Sequence, residues 1–135
     1  MADEKLFDLR VITPDRVFYE DKVEMVEMNT KEGAIGVYKK HVPTTCILSP
    51  GILIIHRPGG EKKKAALHGG FAEILKDKVT VLAEAAEWPE EIDLERAKKA
   101  KERAEERIQS QGGEMDVIRA EMALRRALAR INAAK

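Results

Sequence analysis

Residues 91–108 read "EIDLERAKKAKERAEERI". Charge fills most positions, and after the first turn the apolar ones are nearly all alanine. Ala97, Ala100, Ala104 and Ile108 recur at 3-4-4 spacing, the period of one helix face. Ala, Glu, Lys and Arg are strong helix formers, and Asp93 stands where an N-cap belongs. The stretch predicts a helix over 92–110 whose inward stripe can approach a neighbour closely while burying little area. At about 25 cal/mol per Å² of apolar surface, such a contact is weak.

Working outward, "SQGG" (110–113) interrupts the pattern and "EMDVIRAEMALRRALARINAA" resumes it. Val117, Leu124, Leu128 and Ile131 recur on one face of this second helix, flanked by Ala120 and Ala127. A short connection between two helices favours an antiparallel hairpin. Its alanine-heavy seam makes the hairpin an element expected to dissociate.

On the other side of the stretch the chemistry changes. All five prolines and all six aromatics lie within residues 1–89, whereas 21 of the 46 residues from Glu90 onward are charged. That shift places a boundary near Pro89, with domains at 1–89 and 90–135. "LFDLRVI" alternates, with Phe7, Leu9 and Val11 facing one way. "DKVEMVEMN", "GILIIHR", "KKKAALHGGFAEIL" and "KVTVLAEA" continue as strands, punctuated by "TPD", "KEGAIG", "SPG", "RPGG" and "KDK", which read as turns. Many short strands with such turns predict an antiparallel β-sandwich or barrel. The run "ILII" fits a strand covered on both faces. The fold class is therefore α+β, a β-sandwich or barrel followed by a two-helix hairpin.

Composition removes several functions. The 24 basic and 24 acidic residues cancel, so bulk electrostatics does not point to nucleic acid. The single cysteine, Cys46, cannot form an internal disulfide or a thiolate metal cluster and reads as a small core residue. His41, His56 and His68 share no metal-binding spacing. "RPGGEKKK" (57–64) lacks the spacing of a phosphate loop. No stretch approaches the roughly 20 apolar residues of a membrane span, and "MADEKLFDLR" lacks the apolar core of a secretory signal. The expectation is a cytoplasmic chain, or one attached to a membrane complex from the cytoplasmic side.

The arginines carry the sharpest chemistry. At about 100° per residue, Arg96 and Arg103 fall on nearly the same line of the first helix, with Asp93 about 60° from Arg96 and one turn earlier. Arg126 and Arg130 lie four apart on the second helix. If the alanine stripes meet, four guanidiniums converge beside the seam, and their forked donors match phosphate oxygens. Spacing alone leaves another reading open, a solvated face balanced by Glu102, Glu105 and Glu106, with Asp93 as a cap and nothing more.

The order of motifs resembles the epsilon subunit of the bacterial F-type (rotary) ATP synthase, over essentially the whole chain. "VITPDRVFYEDKVEMVEMNTKEGAIGVYKKHVP" is similar to the family's opening, with Gly33, Gly36, Val37, His41 and Pro43 in its G-x-x-G-[VI]-x-x-x-H-x-P segment. "ALHGGFAEI" resembles its G-G-F strand, and the two-helix C-terminus completes the likeness. The resemblance implies a sandwich that grips the gamma subunit and rests on the c-ring. It also implies a mobile hairpin that meets the alpha/beta catalytic head and restrains ATP hydrolysis, in a peripheral subunit on the cytoplasmic face of the cell membrane. Some members bind ATP through an [IL]-D-x-x-R-A motif, matched here by Ile92, Asp93, Arg96 and Ala97, with Glu87, Arg103, Arg126 and Arg130 filling the family's other positions. One departure is "WPE" at 88–90, where Trp88 and Pro89 bear on how Glu87 enters the site. The resemblance implies no catalytic residue and no bound metal, and it leaves magnesium open. The competing expectation is a passive stalk subunit with a vestigial nucleotide site.

Overall fold

The computed structural model describes residues 2–110 and 113–135, so the break expected at "SQGG" falls partly on Gln111 and Gly112, outside the described residues. Ten strands are present among the described residues: β1 (Phe7–Ile12), β2 (Val17–Val23), β3 (Met25–Thr30), β4 (Gly33–Tyr38), β5 (Thr44–Leu48), β6 (Gly51–His56), β7 (Lys62–Leu67), β8 (Gly70–Ile74), β9 (Lys78–Ala83) and β10 (Ala86–Glu87). Two helices follow, α1 (Leu94–Gln109) and α2 (Glu114–Ala134). The expected α+β class is borne out.

The strands run in the order β10-β7-β6-β3-β5-β8-β9-β1-β2, with β4 added to β3. β4 pairs with β3 along its whole length. The opposite edge of β3 is shared, Met25–Glu27 with β6 and Thr30 with β5, and this division lets the sheet fold over on itself. Every strand contributes to the core within, where Phe7, Leu9, Met28, Leu53, Ile55, Leu67 and Ile74 are fully buried. The alternation of β1 follows the sequence, with Phe7, Leu9 and Val11 inside and Asp8 and Arg10 outside.

The strand reading needs four corrections. "KEGAIG" is not only a turn, because Gly33–Tyr38 forms β4 with Val37 buried. β2 and β5 were not assigned, since "VFYEDKV" and "TTCIL" alternate poorly. One pair, β1 with β9, is parallel. "KKKAALHGGFAEIL" is two strands, parted at Gly69 and Gly70. At Gly70 φ is +110°, and a Cβ there would run into the carbonyl oxygen of Leu82. Only glycine satisfies both demands.

Asp93 caps α1, its Oδ1 accepting the Arg96 backbone N–H at 3.1 Å. α1 lies mainly on α2, and α2 in turn lies on β6 and β7. Ala97 and Ala104 of α1 and Ala120 and Ala127 of α2 are buried, as the stripes require. The far side of α2 packs Ala129 and Ala133 on Ala66 of β7, with Ile92 alongside. Because α2 has two partners, its large apolar residues do not all reach the seam. Leu128 is 36% exposed, against the face expected for it.

Candidate functional site

β10 is only two residues long, and it sets Glu87 opposite Ala66 on β7. Glu87 Oε1 accepts Arg130 Nε at 2.6 Å and His68 Nε2 at 2.8 Å. Arg130 comes from α2 and His68 from the residue just after β7, so one carboxylate oxygen joins the hairpin to the sandwich. Burial raises the pKa of Glu87, but the hydrogen bonds from Arg130 and His68 outweigh it and hold the carboxyl below its ordinary value. For His68, burial pushes the pKa down. The Glu87 hydrogen bond opposes this, and the Arg130 and Arg126 charges add to the lowering.

Beyond Glu87 the chain makes a 3-10 turn at Pro89–Glu91. The indole of Trp88 stacks on Phe18 with ring centroids 4.1 Å apart and planes 15° apart, and Lys63 Nζ sits 4.7 Å from the indole ring on β7. Glu91 accepts two hydrogen bonds from Arg16, at 2.7 and 2.8 Å, and one from the Trp88 backbone N–H at 2.9 Å. The Arg16 hydrogen bond, then the backbone one, holds the Glu91 carboxyl below its usual range. The "WPE" departure is therefore a clamp that fixes the linker to the sandwich.

A cleft of about 420 Å³ opens between this linker and the two helices, lined by Glu87, Asp93, Arg96, Arg103 and Arg130 with Ala97. Arg96 and Arg103 make no ion pair among the described residues, while Arg130 is held by Glu87. Two unpaired guanidiniums on one helix line, a third on the other helix and an alanine floor suit an anion with an apolar part. The structure does not bring every expected residue here. Ile92 packs into the Ala66, Ala129 and Ala133 cluster. Arg126 lines a neighbouring cleft of about 500 Å³ with His68, Lys31, Arg125 and Glu84. Lys99 and Glu91 also line the first cleft, and sequence reasoning had not singled them out. His68 was missed as well. Its signal was slight, an ionisable residue closing an apolar strand just before two glycines.

A ten-stranded β-sandwich followed by a helical hairpin, with a charged cleft between the linker and the two helices, defines the class of protein. Comparisons with known proteins agree. Residues 6–89 match the model of the ATP synthase delta/epsilon chain β-sandwich domain, and residues 90–135 that of its long α-helix domain. The ATP synthase epsilon chain of Caldanaerobacter subterraneus subsp. tengcongensis is 48% identical over 132 residues, covering 97% of this chain and 95% of that one. The epsilon chain of Halalkalibacterium halodurans is 45% identical over 127 residues, 93% and 95% of the two chains. A chain in the Euglena gracilis mitochondrial ATP synthase (OSCP/F1/c-ring, rotational state 1) superposes with a TM-score of 0.83 at 32% identity, covering 96% of this chain and 81% of that one. A chain of the Tetrahymena thermophila central stalk/c-ring structure, at 14% identity and a TM-score of 0.65, shares the fold. The chain belongs to the ATP synthase delta/epsilon chain family.

Proposed function

We propose that the chain is a non-catalytic rotor subunit of a proton-transporting F-type ATP synthase. Its sandwich joins the gamma shaft to the c-ring, and its hairpin, docked with ATP and extended without it, restrains ATP hydrolysis. The observation that carries this reading is the cleft that draws Arg96 and Arg103 from α1 and Arg130 from α2. Neither helix alone forms it, so an anion that needs both stabilises the closed hairpin. That stabilisation is RT ln(1 + [L]/Kd), about 2.7 kcal/mol at a hundredfold excess over Kd. A methyl-lined seam, worth about 0.8 kcal/mol per buried carbon unit, is weak enough for such an increment to tip.

The fit to a triphosphate rests on the donor set. Arg96 and Arg103 supply free forks to phosphate oxygens, and Arg130 joins them by exchanging its hold on Glu87 for the ligand. Asp93, Ile92 and Ala97 flank the start of α1, where a base would rest. No helix among the described residues is long and apolar enough to cross a membrane; in this proposal, attachment runs through partners on the cytoplasmic face. A contact surface is available. Ile47, Phe71, Leu82, Ile12 and Val17 stand side by side in register across β5, β8, β9, β1 and β2, and all but Ile12 are exposed. A row of this kind supports docking to an apolar shaft. Extended, α2 would offer its basic residues to acidic surface on the catalytic head.

A second reading, the passive stalk subunit, draws on the Glu87–Arg130 pair, which closes the hairpin on the sandwich with no ligand involved. Calorimetric titration of the full chain with ATP, with and without magnesium, separates the two. Saturable heat supports the nucleotide-controlled hairpin, and mixing without heat or spectral change leaves the passive role.

A further inference from the structure

His68 lies just past the end of β7 and is 3% exposed although it is ionisable. Its Nε2 shares Glu87 Oε1 with Arg130, and its Nδ1 is buried with no hydrogen-bond partner among the described residues. A carboxylate only accepts, so the single proton of the neutral ring sits on Nε2. The charged groups around the ring come from several elements. Glu87 approaches from β10, and Arg126 and Arg130 from α2. Lys31 of the β3–β4 turn, Glu84 of the β9–β10 turn and Arg125 of α2 line the cleft that the histidine borders.

We propose that His68 is a positioning residue for Glu87 and, through it, for Arg130, so that uptake of a proton at His68 releases α2 from the sandwich. The proposal rests on the reading of the hairpin as an element that docks and undocks. A second proton on the ring must go to Nδ1, where nothing accepts it, and it sets a third cation against Arg126 and Arg130. Both guanidiniums belong to the element that leaves. On undocking, the ring regains water and loses them, and its affinity for a proton returns toward the ordinary histidine value of about 6.5.

The sign follows from linkage. Burial, with Arg130 and Arg126, keeps the docked pKa of His68 below the ordinary value, so the undocked form binds more protons. Docking is therefore fully supported above about pH 6.5 and weakens as the pH falls below it. Glu87 acts in the same direction but only in a lower window, below about pH 4.3, because its pKa too is depressed. The two groups are separable by pH.

The test follows docking by the distance between spin labels at Asp77→Cys and Glu121→Cys in a Cys46→Ala background, at about pH 7.5 and about pH 5.5. With His68 intact, the docked-to-undocked ratio is expected to fall with acid, by at most about tenfold per pH unit, the limit for one proton. His68→Gln keeps an N–H toward Glu87 but does not titrate, and should hold the same docked-to-undocked ratio at both values. His68→Leu should lose docked population at both. An unchanged ratio with His68 intact, a glutamine variant that keeps the acid response, or a leucine variant that matches the glutamine one overturns the proposal. ATP affinity is measured separately at about pH 7.5. Failure to bind ATP with the acid response intact removes the nucleotide reading and leaves the role of His68 standing.

Discussion

Two guanidiniums seven residues apart return to nearly the same side of a helix, and Arg96 and Arg103 do so over the cleft, neither in an ion pair among the described residues. A charge-assisted hydrogen bond is worth about 1.5–3 kcal/mol. Arg103→Ala should therefore weaken ATP binding roughly ten- to hundredfold by calorimetry, with the sandwich melting where it did before. Arg126→Ala should cost less, because Arg126 faces the neighbouring cleft. Gly70 makes a different demand on the chain. Gly70→Ala asks a side chain to adopt a φ of +110° against the Leu82 carbonyl, and should destabilise the sandwich by about 1–3 kcal/mol or more, read as a lowered Tm. These residues were legible to different degrees. The arginines announced themselves by spacing, and the double glycine by its place between two apolar runs. The partnership of Glu87 with His68 was not legible, because the residues stand 19 apart and meet only through the pairing of β10 with β7.

Among elements, the linker departs furthest from what its sequence suggested. The composition shift marks a boundary near Pro89, yet Trp88 stacks on Phe18 beside Lys63, and Glu91 is forked onto Arg16. The chain up to Glu91 is thus held to the sandwich, and a pivot for the proposed hairpin movement falls at Ile92–Asp93, just before the cap of α1. Trp88→Ala should speed hydrogen exchange over residues 86–93 and cost about 2–4 kcal/mol of stability in denaturant, somewhat below a fully buried tryptophan. The helices and the alternating strand β1 could be read from period alone, because one face of each is buried and the other wet. β4 could not, since its glycines at 33 and 36 imitate a turn. A Cβ at Gly36 would meet the terminal methyl of the Met25 side chain on the paired strand, a group that can swing aside. The seam was half legible. Alanine periodicity marked where α1 meets α2, but not that α2 would turn Ala129 and Ala133 toward Ala66 and leave Leu128 half in water.

At the scale of the whole molecule, the two parts have separate means of cohesion. The main core takes its buried residues from the ten strands and none from the helices. Deleting residues 90–135 should leave a folded β protein, with strand-type circular dichroism and cooperative melting. In the assembled synthase it should still attach to the rotor while ATP is hydrolysed faster than with the full chain. Unaltered hydrolysis would remove the restraining role. Isolated α1 and α2 should be largely unfolded in water, since a short charged helix without its partner is marginal.

The buried residues of the surfaces that would part in the proposed hairpin movement are all alanines. Ala97, Ala104, Ala120, Ala127, Ala129, Ala133 and Ala66 offer no knobs that must be withdrawn from holes. A released arm would accordingly bare mostly small side chains, and little packing would have to be rebuilt before it settled again. Smooth contacts of this sort suit a clasp opened and shut many times over the life of one machine.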